Sequence, residues 1–301
     1  MKDYLGEIAA IATSVLFAGS STVNTLAGRV VGSIALNRLR LALAIIWLVL
    51  THILLRIPLP LHAGPQRWFW LSLSGILGLA IGDAFLFQAF IWIGPRLSML
   101  LLALSPAMAG LLAWIFLGEI LSIGQWAGIA LTLFGIGWVI LDRNGTPSQK
   151  GSNHEHYLIG IIFGLGAAAG QALGQVTAKR GLYGDFSPVS GTLIRMLAAA
   201  AVIWGIAIFQ RQATKTMRLM IDHRQAAWWI IIGSILGPFL GVTFLLYSVQ
   251  TIPVGIASTL SSLSPIVLLP VGYFFFKERF GWPSIFGTVL TMMGIALFFL
   301  V

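Results

Sequence analysis

The sequence predicts an all-α polytopic membrane protein with ten transmembrane helices arranged as two inverted five-helix repeats. Three observations carry this expectation. The 301-residue chain is 58% hydrophobic and 9% charged, with a mean hydropathy of +0.93, a balance that water-soluble domains do not reach. Its apolar runs match the roughly 20 residues needed to cross a bilayer, and they lack the period-2 alternation of a β-barrel. The chain also repeats itself. Leu104-Ser105-Pro106 returns as Leu263-Ser264-Pro265, 159 residues later, and at that offset Gly78 meets Gly237, Gly82 meets Gly241, Glu119 meets Glu278 and Thr132 meets Thr291.

The spans follow from hydropathy and punctuation. Span 1 is expected from about Gly6 to Leu26. Lys2 followed by apolar Ile8 to Ala18 has the outline of a signal peptide. Asp3 and Glu7 dilute that pattern, and Tyr157 to Lys179 looks like a second copy, so the segment reads as a membrane helix. Spans 2 to 5 are expected at Gly32–Leu55, Trp68–Ile93, Leu97–Leu117 and Ile123–Leu141, closing a first repeat over residues 1–141. Residues 142–156 form a polar linker rich in Gly, Pro, Ser and Asn. The second repeat, 157–301, then holds spans 6 to 10 at Tyr157–Ala178, Val189–Gln210, Ala226–Gln250, Val254–Phe276 and Trp282–Leu300. Trp68, Trp70, Trp228, Trp229 and Trp282 fall at expected ends, as interfacial aromatics do.

An odd number of spans per repeat starts the second copy from the opposite side of the membrane, so the copies are inverted about an axis in its plane. Two inverted copies give a central cavity two near-equivalent arrangements, one open to each side. That is the physical basis of alternating access. The net charge of +9 sits mostly between apolar segments, where it orients the chain and meets lipid headgroups rather than nucleic acid. Counted by loop, the Lys and Arg residues lean towards termini on the outer side. There is no Cys, hence no disulfide and no thiolate metal site.

Two segments, LSPAMAGLLAWIFLGEILSIGQWAGIALTLFGI (104–136) and LSPIVLLPVGYFFFKERFGWPSIFGTVLTMMGI (263–295), resemble the fourth-to-fifth-helix signature of the EamA family of the drug/metabolite transporter superfamily. GDAFLFQAFIWIG (82–94) is similar to its third helix, and RLRLALAIIW (38–47) and RMLAAAAVIW (195–204) to its second. The resemblance covers nearly the whole chain. It implies a cell-membrane transporter with cytoplasmic termini, against the charge count, and leaves the substrate open among amino acids, other metabolites, nucleotide-sugars and drugs. The related small multidrug transporters carry a carboxylate in the middle of helix 1. Here residues 8–21 read IAAIATSVLFAGSS, with no acid, which speaks against cationic-drug/proton antiport.

Ionisable side chains inside a bilayer cost about 2.5–3.5 kcal/mol each on insertion scales, so each needs a reason. Asp83 is the deepest, and its counterpart is Val242. It reads as a cavity carboxylate coupled to substrate or to a proton, or as a structural partner of Arg38 or Arg40. Arg38 and Arg195 are counterparts, each nine residues before a Trp. They could clamp a substrate acid group or snorkel to headgroups. Uncharged stripes add Ser20 and Asn24 on span 1, Gln88 on span 3, Gln171 and Gln175 on span 6, Thr243 and Tyr247 on span 8, and Ser258 and Ser262 on span 9. Such groups wet a cavity for a small polar substrate, though interhelical bonding at about 0.6 kcal/mol each would also account for any single stripe.

The small-residue ladders, including Gly78, Gly82, Gly237 and Gly241, allow close helix approach, so spans 3 and 8 are expected to be packed tightly at the core. Pro106 and Pro265 are expected to kink spans 4 and 9. Glu119 and Glu278 are expected to stabilise the N-termini of spans 5 and 10. His62, His154, His156 and His223 fall in expected loops. No catalytic or metal signature appears, and no cofactor is expected. The function class is thus a secondary transporter for a small polar metabolite, with an amino acid or related compound as the leading candidate. A passive channel, or a nucleotide-sugar or drug transporter of the same fold, is the alternative. Expected partners are the substrate, a coupling proton and membrane lipid, with the chain a monomer or homodimer.

Overall fold

The computed structural model describes residues 4–108, 122–141, 154–184, 186–252, 257, 260–276 and 281–300. Helices account for nearly all of these residues, and no strand occurs among them. The chain opens with α1 (Leu5–Val31) and α2 (Ser33–Leu54), joined through the single residue Gly32 at φ 83°. A side chain there would be strained, so glycine makes the one-residue junction possible. α3 (Pro65–Ser74) passes through a π-helical segment, Gly75–Gly82, into α4 (Asp83–Leu102). Within α4, Gly94 leaves the helical region (φ 79°, ψ 166°) and Pro95 follows it, which separates expected spans 3 and 4. α5 (Ile123–Leu141) closes the portion before the linker.

After the linker come α6 (His154–Gly181) and α7 (Pro188–Phe209). His154 and His156, expected in a loop, therefore lie in the first turn of a helix that starts earlier than its apolar run. A short helix, α8 (Ala213–Asp222), was not expected; its ten residues are too polar and too few to register as a span. α9 (Arg224–Ser234) enters a second π-helical segment, Ile235–Gly241, which continues as α10 (Val242–Thr251). α11 (Ser264–Phe276) and α12 (Trp282–Leu300) complete the described helices. Six stretches among the described residues are long and apolar enough to cross a membrane: Leu5–Val31, Ser33–Leu54, Pro65–Leu102, His156–Gly181, Pro188–Phe209 and Arg224–Thr251. Ile123–Val139 and Ile285–Leu297 are shorter apolar helices.

The packing is reciprocal, and spans 3 and 8 are tightly packed at their glycines, each against a different helix. α3, the first π segment and α4 lie along α6, whereas α9, the second π segment and α10 lie along α1. Glycines on both sides permit the first contact: a Cβ added at Gly170 would stand 2.8 Å from the Gly82 Cα, and one at Gly174 would stand 3.0 Å from the Gly78 Cα. In the second contact Gly241 faces Phe17, and Gly237 and Gly233 face the side chains of Ser20 and Asn24, each too closely for a Cβ. α2 packs on α7, and α5 on α12, where Gly135 meets Thr291 and Gly294 meets Thr132.

The prolines of the repeated tripeptide also act differently from expectation. The helix is already interrupted at Ala103-Leu104 and again at Ser262-Leu263, one turn before each proline. Pro106 and Pro265 sit in the first turn of the helix that restarts, where a missing N–H costs little. Glu119 and Glu278 lie outside the described residues.

Candidate functional site

Both interruptions open onto one cavity of about 130 Å³. Ala103, Ser105 and Pro106 form part of its wall, and Ser261, Ser262, Ser264 and Pro265 form another part. α1 contributes Phe17, Ser20, Ser21 and Asn24, one face of a helix held in place by the glycine contacts with the second π segment. α2 contributes Arg40, α4 contributes Asp83, Phe87 and Phe90, and α6 contributes Gln171 and Gln175.

The centre of the site is a buried ion pair between Arg40 Nη2 and Asp83 Oδ2. Gln171 Nε2 donates to the other carboxylate oxygen, Oδ1, at 2.9 Å, and also reaches the Gly78 carbonyl at 3.4 Å. Arg40 Nε donates to Asn37 Oδ1 at 3.2 Å, and its guanidinium lies 4.4 Å from the Phe87 ring centroid. Asn37 Nδ2 in turn donates to the Leu79 and Ala80 carbonyls at 3.2 and 3.4 Å. These carbonyls belong to the π segment, whose widened turn disturbs the regular backbone ladder, so Asn37 ties the ion pair to the distorted helix.

The second wall is neutral. Asn24 Nδ2 donates to Ser20 Oγ at 3.0 Å, and Ser20 Oγ donates to the Gly233 carbonyl at 3.2 Å. Asn24 Oδ1 and the hydroxyls of Ser105 and Ser261 are buried on this wall without a hydrogen-bond partner among the described residues. Buried polar groups are normally satisfied, so these three oxygens are exceptions, on residues that line the cavity. Ser264 Oγ instead bonds the Ser14 carbonyl at 2.9 Å, holding the second tripeptide against α1.

Of the residues expected at a site, Ser20, Asn24, Asp83, Gln171, Gln175 and Ser262 line this cavity, together with Pro106 and Pro265. Arg38 does not: it is buried and donates to Gln212 Oε1 and Thr216 Oγ1, at 3.1 and 3.3 Å, which anchors α8 instead of snorkelling. Gln88 accepts from Ser33 Oγ at 2.5 Å, and Thr243 donates to the Phe239 carbonyl at 2.5 Å. Neither these two nor Tyr247 is on the cavity wall, and Ser258 lies outside the described residues. Arg195 is buried off the wall, with its Nη2 close to Gly78. Gly78, Gly82, Gly237 and Gly241 are helix-contact positions.

Sequence reasoning missed three kinds of residue as site members. Arg40 was weighed only as a structural partner. Ser105 and Ser264 were in plain view inside the repeated tripeptide. The aromatic wall of Phe17, Phe87 and Phe90 carries no signal in a chain this apolar.

A helical chain that buries an Arg–Asp pair beside a cavity with polar and apolar walls, with several stretches long enough to span a bilayer, has the architecture of a polytopic membrane protein. The EamA-like transporter family model matches residues 4–141 and again 158–300, and the chain belongs to that family, within the drug/metabolite transporter superfamily. It is therefore an integral membrane protein of a family of small-solute transporters. Over 88 residues, 29% of this chain and 78% of the relative, it is 33% identical to the probable 4-amino-4-deoxy-L-arabinose-phosphoundecaprenol flippase subunit ArnE of Photorhabdus laumondii. Over 239 residues it is 22% identical to a WAT1-related chloroplastic protein of Arabidopsis thaliana, covering 79% of this chain and 56% of that one. A crystal structure sharing 16% identity superimposes over 97% of this chain and 94% of its own, with a TM-score of 0.63, which shows a shared fold.

Proposed function

We propose that the chain is a secondary transporter that carries a small polar metabolite, with an amino acid or a related compound as the leading candidate, by alternating access. Residues 1–141 and 157–301 act as inverted five-span repeats joined by the linker 142–156, with both termini cytoplasmic. The observation that carries this reading is the convergence of the two Leu-Ser-Pro copies, 159 residues apart, on the wall of one cavity beside the Arg40–Asp83 pair. The reciprocal packing of α4 on α6 and α10 on α1 supports it, because each set of helices is clasped by the other and can rock against it. Gln171, Gln175, Ser20, Asn24 and Ser262 are the proposed solute contacts, with Asp83 the carboxylate coupled to solute binding.

Counter-flow in proteoliposomes tests the reading. Preloading with the transported solute should accelerate saturable uptake of its labelled form, in a screen across amino acids, nucleotide-sugars and organic cations. Flux that neither saturates nor shows counter-flow would instead mark a passive channel. The Asp83→Asn variant should lose most counter-flow and its pH dependence; an unchanged variant would remove Asp83 from the coupling mechanism.

A further inference from the structure

Three buried charged groups gather at the cavity, Arg40 and Asp83 on its wall and Arg195 off it, only 4%, 5% and 3% exposed. Arg40 and Asp83 neutralise each other. Arg195 is left over, its Nε without a hydrogen-bond partner among the described residues, yet close enough to act electrostatically on Asp83. Among the described residues the cluster therefore holds one positive charge in excess. An uncompensated charge out of water is costly, and an entering anion would relieve it.

The two arginines are not equivalent. Arg40 lies on the cavity wall, where a guest can reach it, and Arg195 is not among the residues that line it. Gln171 lies near both Asp83 and Arg195. Its Nε2 holds Asp83, while its Oε1 faces the same Gly78 edge as the Arg195 Nη2, the two atoms lying 3.6 and 3.5 Å from the position of a Cβ there. Arg40 comes from α2 and Arg195 from α7, helices on opposite sides of the linker that pack on each other.

We infer that the carried solute bears an acid group, carboxylate or phosphate, which docks on Arg40 and displaces Asp83 towards Arg195. This deepens the transporter reading and rests on it. The exchange conserves charge: one anion enters, Arg40 trades a protein carboxylate for the guest's acid group, and Asp83 moves onto Arg195, whose Nε has no hydrogen-bond partner among the described residues. The planar guanidinium suits either acid group through two parallel hydrogen bonds. Ser20, Ser21 and Gln175 on the wall would meet a hydroxyl or ammonium group of the guest. Phe17, Leu86, Phe90 and Met99 would cover its apolar part. An amine alone finds a carboxylate already paired. Handing Asp83 from a helix before the linker to one after it gives solute binding a direct mechanical consequence.

The test uses the full chain in detergent, with thermal unfolding followed by tryptophan fluorescence in the presence of matched probes. Phenylacetate and phenyl phosphate should raise the midpoint, and which acid binds more tightly separates the two chemistries. Phenylacetamide and phenethylamine should not raise it. Amide or amine stabilising as well as the acids, or no acid stabilising, would overturn the inference. Asp83→Asn removes the competitor for Arg40 and should tighten acid binding by about tenfold, whereas a merely structural Asp83 would leave it unchanged or weaker. Arg195→Gln should weaken acid binding by about tenfold, because the displaced carboxylate has nowhere to go, and Arg195→Lys should restore most of it. Arg195→Gln binding as the wild type does would sink the hand-over. Acid binding without counter-flow would count against the transporter reading and leave the docking site standing. Counter-flow of neutral or cationic solutes alone would do the reverse.

Discussion

Arg40 and Asp83 occupy positions where neither would be tolerated alone. Removing one partner from a buried ion pair leaves the other uncompensated and typically costs about 3–5 kcal/mol. Arg40→Ala should therefore lower the unfolding midpoint sharply, while the Arg40→Met/Asp83→Leu double variant should recover much of the loss. A double variant as unstable as the single would mean that the pair is not the relevant interaction. Glycine positions give a second prediction at this scale. A Cβ at Gly75 would collide with the Arg195 backbone carbonyl, which cannot rotate away, whereas at Gly205 nothing lies within 4 Å. Gly75→Ala should destabilise by about 1–3 kcal/mol or more, and Gly205→Ala should stabilise by up to about 1 kcal/mol, as read by heated size-exclusion chromatography. Asp83 was identifiable from its depth alone. Its partner was not, because Arg38 and Arg40 are two residues apart, about 200° around a helix, and so face opposite ways. Arg40 turned towards α4 and Arg38 towards α8.

At the scale of elements, the matched π segments are the feature that hydropathy could not reveal. The apolar, glycine-rich runs 75–82 and 235–241 read as ordinary helix interior. Their widened turns lie where the chain packs on α6 and α1; the second contains Pro238, which has no N–H to give the ladder, and in the first, side chains satisfy disturbed carbonyls. Asn37 does so for Leu79 and Ala80. Asn37→Ala should leave these carbonyls poorly satisfied and release Arg40 Nε, a cost of about 1–3 kcal/mol readable as a lower unfolding midpoint. A midpoint unchanged from the wild type would show that the π segment does not need this tie. α8 escaped notice for a related reason. It is a surface helix fixed by two hydrogen bonds from Arg38, a tertiary contact with no periodic signature.

For the whole molecule, the absence of cysteine makes topology directly measurable. Single cysteines at Lys2→Cys and Ser148→Cys, labelled with a membrane-impermeant maleimide in intact cells, should react from opposite sides, since five spans are proposed between them. Labelling from the same side would remove the inverted arrangement and with it the alternating-access proposal. Reciprocal clasping has a further mechanical meaning: neither set of helices buries its own surface without the other, so the two should unfold in a single transition.

By itself, the sequence determined that this chain is helical, apolar enough for a bilayer, internally duplicated at a spacing of 159 residues and related to a transporter family. These are properties of runs and offsets along one dimension, set by the cost of exposing backbone and charge to hydrocarbon. Only the tertiary structure decided that the third span of each set packs on the first span of the other, that both prolines start helices instead of bending them, and which arginine holds Asp83. Those choices depend on how a helix is rotated about its axis and which neighbour it meets. Periodicity in a uniformly apolar segment leaves both open, because every face is hydrophobic enough to be the buried one.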